Sequence, residues 1–256
     1  MNPEQIQSIN EVISALDVII SESVKSNSPL GYFAALYRKV TLQVKDGIIS
    51  GTFDDGSRME KLDVAFAKRY LVAYESYRKN EPVTESWKLT FELQSQYWPI
   101  VLQHLLMGMN AHINLDLGIA AAEISEGNNL NELENDFNRI NDILSSLVLE
   151  VEDNLSLVWP ALKYLLKWSG KIDDYLVDFS MKLARDGAWK FAGQYFGSSA
   201  SGKEEAIVNR DMKVASKAAV VVNPGLFAST ILRIIRLTER GTVAEKILKL
   251  NSTKQI

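Results

Sequence analysis

His112 and Asp116 stand four residues apart in a stretch, Gln103 to Glu123, that is apolar on nearly every side. On an α-helix this spacing puts both side chains on one face, about 6 Å apart along the axis. A carboxylate so placed can accept a hydrogen bond from the imidazole, fix its tautomer and raise its basicity, as an orienting acid does for a general base. The same spacing lets both groups ligate one divalent cation, with Asp63 as a further oxygen donor. Such a set suits magnesium, manganese or iron better than structural zinc. Arg185 and Asp186 add a guanidinium able to bind an anionic group and another carboxylate. The candidate catalytic residues are therefore His112, Asp116, Arg185 and Asp186, and the candidate metal ligands His112, Asp116 and Asp63. A structural alternative stands beside this reading: a buried histidine satisfied by its carboxylate, holding helices in register.

The elements that must position these groups read as helices. Apolar residues recur at three- and four-residue steps, most clearly in Leu130, Leu133, Phe137, Ile140, Leu144, Leu147, Val151 and Leu155. Further helices are expected over 4–26, 30–45, 58–79, 84–96, 98–124, 160–169, 173–196, 204–222 and 225–249. Ser57 to Glu60 reads as a capping box that starts a helix at Ser57, and Asn131 with Glu134 as another. Asp63 interrupts the apolar stripe Met59, Phe66, Tyr70, Ala73 and Tyr77, so it needs a partner. Helix 98–124, apolar all round, belongs at the centre of the bundle. Its polar residues fall into two stripes: His112, Asp116 and Glu123 on one, Gln103, Asn110 and Asn114 on the other. The asparagines read best as inter-helix hydrogen bonders. His104 lies about 12 Å along the axis from His112 and about 80° round it, too far to share a metal. Residues 46–56 suit a short hairpin or a loop, and 197–202 a flexible connector. The expected architecture is one all-α domain over 1–256, a multi-helix bundle around the buried helix 98–124.

Composition removes many chemistries. The 256 residues include no cysteine and only two histidines, which excludes thiolate metal centres, cysteine nucleophiles and three-imidazole sites from one chain. A net charge of −4 shows no bulk bias towards nucleic acid or anionic lipid. No stretch approaches the ~20 apolar residues of a transmembrane helix, and the N-terminus lacks signal-peptide character, so a cytoplasmic location is expected. Gly197 to Lys203 imitates the start of a phosphate-binding loop, but Glu204 stands where Ser or Thr is required. There is no His-Glu-x-x-His and no Gly-x-Ser-x-Gly. The segment Arg233 to Lys249 mixes basic and apolar residues and reads as an amphipathic surface helix, a docking face.

The run Leu106-Met107-Gly108-Met109-Asn110-Ala111-His112-Ile113-Asn114-Leu115-Asp116-Leu117 resembles the signature of an uncharacterised bacterial family, a domain of unknown function. Leu62 to Tyr70, Asn138 to Asn141 and Ala184 to Trp189 look like segments of the same family, so the resemblance spans about residues 30–196. It implies a helical fold and one constellation of Asp63, Asn110, His112, Asn114, Asp116, Arg185 and Asp186, and no particular activity. Two functions are expected on these grounds. One is a hydrolase acting on a small molecule, by His/Asp acid–base chemistry or with one divalent metal ion. The other is a non-enzymatic helical module binding an apolar ligand or a partner, with the polar cluster structural; a small-molecule ligand and a homo-oligomer are the expected partners.

Overall fold

The computed structural model describes residues 2–140, 143, 158–159 and 181–252. Among these, every regular element is helical. The helices are α1 (Ile9–Ser26), α2 (Gly31–Ile49), α3 (Gly56–Arg78), α4 (Glu85–Glu92), α5 (Val101–Ala111), α6 (Leu117–Ile124), α7 (Met181–Phe196), α8 (Ala200–Val222), α9 (Leu226–Thr238) and α10 (Val243–Asn251). A π turn, His112–Asp116, joins α5 to α6 and makes them one continuous central helix. Around it pack α2, α3, α4, α7 and α8.

Local chemistry sets several boundaries. Ser8 and Glu11 form a reciprocal capping box at the start of α1, and Asn27 ends that helix in the left-handed region. The helix expected at Ser57 begins one residue earlier, because the Asp55 side chain accepts from Arg58 N and takes the cap position. In the same way Asn129, not Asn131, caps the 3-10 turn Leu130–Leu133. Gly197 to Gly202 is shorter as a connector than its composition suggests: Ser199 accepts from Gly202 N, and α8 starts at Ala200. Residues 46–49 continue α2, leaving a loop rather than a hairpin before α3. The helix expected over 225–249 is two, since Gly241 turns the chain at φ 89° between α9 and α10. The helix at 160–169, the start of 173–196 and the stripe residues Leu144 to Leu155 lie outside the described residues.

Four helices receive a further N-terminal hydrogen bond from an acid remote in sequence. Glu60 accepts from Ile9 N, Asp136 from Asp54 N and Asp55 N, Asp211 from Glu85 N and Ser86 N, and Glu239 from Val101 N. Each carboxylate meets unpaired N–H groups and the positive end of a helix dipole. Each one therefore ties the start of one helix to another part of the chain.

The core divides around the central helix. On the α5 side, Tyr32, Phe33, Tyr37, Tyr70, Trp87 and Phe91 form a ring-rich cluster. On the α6 side, Leu117, Ala120 and Ala121 pack against Ala188, Phe191 and Ala192 of α7. Gly118 allows that approach, since a Cβ there would stand 2.7 Å from the Ala188 carbonyl oxygen. At Gly108 a Cβ would meet the Phe33 ring at 2.4 Å, so the aromatic cluster reaches the helix backbone only because residue 108 has no side chain.

Candidate functional site

The π turn lies across the His–Asp pair. Leu117 N–H reaches back five residues to the His112 carbonyl, so one extra residue is accommodated between α5 and α6. The Asn114 carbonyl oxygen accepts from Arg210 Nε of α8 at 2.7 Å. Asn110 Nδ2 donates to Val214 O at 2.9 Å, Asn114 Nδ2 to Asn110 Oδ1 at 3.2 Å, and Gln103 Nε2 to Val221 O at 2.9 Å. Gln103, Asn110 and the Asn114 backbone thus bond to α8, as expected for Asn110, whereas the Asn114 side chain bonds within its own helix.

The first stripe faces α3 and α4. Asp116 is 1% exposed, and three side chains donate to its carboxylate: Arg69 Nε at 3.0 Å, Trp87 Nε1 at 2.9 Å and His112 Nδ1 at 3.1 Å. The last bond assigns the proton of a neutral His112 to Nδ1 and leaves Nε2 as the acceptor. Burial pushes the His112 pKa down; the hydrogen bond and charge of Asp116 oppose that shift, and Arg69 adds to it. Rings enclose the imidazole. Phe66 stacks on it at 3.6 Å between centroids with an interplanar angle of 5°, and Tyr37 meets it edge-on at 4.6 Å. His112 Nε2 is buried and without a hydrogen-bond partner among the described residues.

Asp63 is also buried but differently served. Its Oδ2 has no partner among the described residues, and burial, with a smaller contribution from Glu60, raises its pKa to about 8. Asp63 therefore keeps its proton at neutral pH. Burial also holds the Tyr37 phenol well above its ordinary range, with Asp63 and then Asp116 adding to the effect, and its hydroxyl is likewise unpartnered. His104 sits apart from the pair, edge-on to Tyr32. Burial, with Arg236 and Lys246, lowers its pKa to about 3.

A groove of about 410 Å³ opens over Asp116, between α3, the chain entering α4 and the central helix. Lys68, Arg69, Thr84, Trp87, Asp116 and Glu123 are in its wall. The Arg69 side chain is 24% exposed there, and its Nη1 lies 4.0 Å from Glu123. The Thr84 hydroxyl is buried without a partner. His112, 2% exposed, is not part of this wall; it lies behind Asp116.

The sequence-derived set is only partly assembled. His112 and Asp116 meet as their spacing requires. Arg185 does not join them: it is 1% exposed, its Nη2 donates to the Phe137 carbonyl, and its guanidinium lies 5.0 Å from the centroid of the Phe137 ring. Asp186, its neighbour, faces outward. Among the described residues no three His, Cys, Asp or Glu side chains are grouped to hold a metal ion, so Asp63 does not complete a metal triad with His112 and Asp116. Both oxygens of Asp116 are already hydrogen-bonded to protein donors. The cation at the site is Arg69, and the donor beside it is Trp87. Each had a weak signal in the sequence: Arg69 adjoins Tyr70 at the margin of the α3 stripe, and a buried indole N–H needs an acceptor.

An all-helical bundle with a polar cluster on a buried central helix, beside a surface groove, is the class of protein these features define. The particular family is also clear. The chain belongs to DUF5995, a family of unknown function, which matches residues 9–224. No curated protein and no solved structure matches it. No described helix is long and apolar enough to cross a membrane.

Proposed function

We propose that the groove over Asp116 binds a small molecule bearing an anionic group, and that the buried His112–Asp116 pair holds the cation that reads it. Arg69 carries this reading. Its Nε is fixed by Asp116, while the rest of its side chain remains at the groove wall beside the indole of Trp87 and the unpartnered Thr84 hydroxyl. A guanidinium oriented by a carboxylate is arranged in advance for a planar anion. In this reading His112 is a positioning residue, because it touches Asp116 and not the groove.

Hydrolysis is the second reading, favoured by the π turn. Such turns distort a helix and are frequent at functional sites. Here the turn spans both His112 and Asp116. Asp116 would then be the catalytic residue facing substrate, with His112 acting through it.

One set of measurements separates the two. Thermal melts of the full chain are recorded against increasing inorganic phosphate and benzoate, beside Arg69→Ala. A saturable rise in Tm with either anion, absent from the variant, is the result expected for a binding groove. Equal responses from both proteins, or none, overturn it. Turnover of p-nitrophenyl acetate or phosphate that Asp116→Asn abolishes while the variant stays folded would establish the hydrolase instead.

A further inference from the structure

The described chain continues beyond residue 224, where the family match ends, into α9 and α10. One face of α9 packs inward through Ile231, Leu232 and the 4%-exposed Ile235. Its outer face mixes exposed aliphatic residues with Thr230 and Arg233. Leu226, Ile234 and Leu237 recur at helical spacing and are 92%, 58% and 67% exposed. Two aromatic residues from the chain entering α5 extend this surface: Trp98, over which Arg233 lies at 5.3 Å, and Tyr97, over which Arg236 lies at 5.1 Å. Both rings are exposed, at 46% for Trp98 and 63% for Tyr97.

The segment that carries this face is richer in cations than the chain as a whole. Residues 224–252 contain Arg233, Arg236, Arg240, Lys246 and Lys249 against Glu239 and Glu245, an excess of three positive charges in a chain whose net charge is −4. Glu239 pairs with the buried Lys246 and with Arg236 and caps the α5 N-terminus, so the exposed arginines are Arg233 and Arg240. The outer surface therefore combines exposed aliphatic side chains, an indole, a phenol and guanidinium groups.

We propose that α9, with Tyr97 and Trp98, docks on a lipid surface carrying anionic headgroups. Aliphatic residues enter the acyl boundary, aromatic rings sit at headgroup level, and arginines meet lipid phosphates. Nucleic acid would use the same cations, but it gives no place to Leu226, Ile234 and Leu237. The helix lies along the surface rather than across it, since its inner face belongs to the core. This inference is independent of the groove over Asp116.

The test is sedimentation of the full chain with vesicles of phosphatidylcholine alone and with 30% phosphatidylglycerol, while tryptophan emission is recorded. Binding to the anionic vesicles is expected, at least about tenfold weaker to the neutral ones and reduced by salt, with a blue shift that Trp98→Ala removes. Leu237→Glu abolishes binding, while its melting temperature stays close to the parent's because residue 237 is exposed. Failure to bind either vesicle overturns the proposal, as does binding that Leu237→Glu leaves intact. Dimerisation in analytical ultracentrifugation that Leu237→Glu abolishes, without vesicle binding, would instead give the face to a second copy of the chain.

Discussion

Asp63 and Asp116 are the same residue type, both are buried, and both bear on the Tyr37 phenol, yet they are differently served. Asp116 receives an indole N–H, a guanidinium N–H and an imidazole N–H. Asp63 has an oxygen without a partner among the described residues and holds its proton to a pKa of about 8. Burial alone disfavours a charged carboxylate; donors aimed at it reverse that preference. The difference between the two acids is therefore made by Arg69, Trp87 and His112. It separates a carboxylate that can organise a groove from a carboxylic acid that behaves as a neutral core group.

The comparison is broken most severely by removing Asp116. Asp116→Ala leaves three buried or half-buried donors unpaired, and a loss of about 3–5 kcal/mol in unfolding free energy is expected by denaturant titration. A loss under 1 kcal/mol would mean that the three donors do not depend on this acid.

Asp63 gives the next effect, and it depends on pH. Its folded pKa of about 8 lies above the ordinary aspartate value of 3.8. Between these values the unfolded chain releases the proton that the folded chain retains. Asp63 thus makes stability fall as pH rises through that window, by up to roughly 1.4 kcal/mol per pH unit, with no further loss above it. Asp63→Asn should melt close to the wild type at pH 4 and clearly higher at pH 8. Parallel pH profiles for the two proteins would show that Asp63 has a partner in solution.

Trp87→Phe sharpens the contrast by subtracting one donor and keeping a ring. The expected cost is about 1.5–3 kcal/mol, since a buried charge-assisted bond is lost. In Asp116→Asn the same substitution should cost less, and a double-mutant cycle measures that coupling. Asp211→Ala is the smallest change, about 1 kcal/mol, because it removes a helix cap from Glu85 N and Ser86 N. It tests whether α4, which carries Trp87, stays in place without that cap.

The helical class, the buried central helix and the meeting of His112 with Asp116 were all legible in the residues. They follow from periodicity and from a spacing of four, which are local properties of a helix. The π turn was not legible, because it exchanges one backbone pairing for another and needs the Arg210 bond from α8. Arg185 was misplaced for a related reason: a long cation on an apolar stripe must find an acceptor, but the stripe does not say which. It found the Phe137 carbonyl and ring rather than Asp63 or Asp116.

By itself, then, the sequence determined that this chain forms helices, which faces of them are apolar, and that a histidine and a carboxylate would share one of those faces. Only the tertiary structure decided which acid is partnered, which cation reaches the groove, and that acids at positions 60, 136, 211 and 239 cap helices far away in the chain. Periodicity is written every three or four residues, whereas a hydrogen-bond partner for a buried charge is chosen among groups that only packing brings within 3 Å.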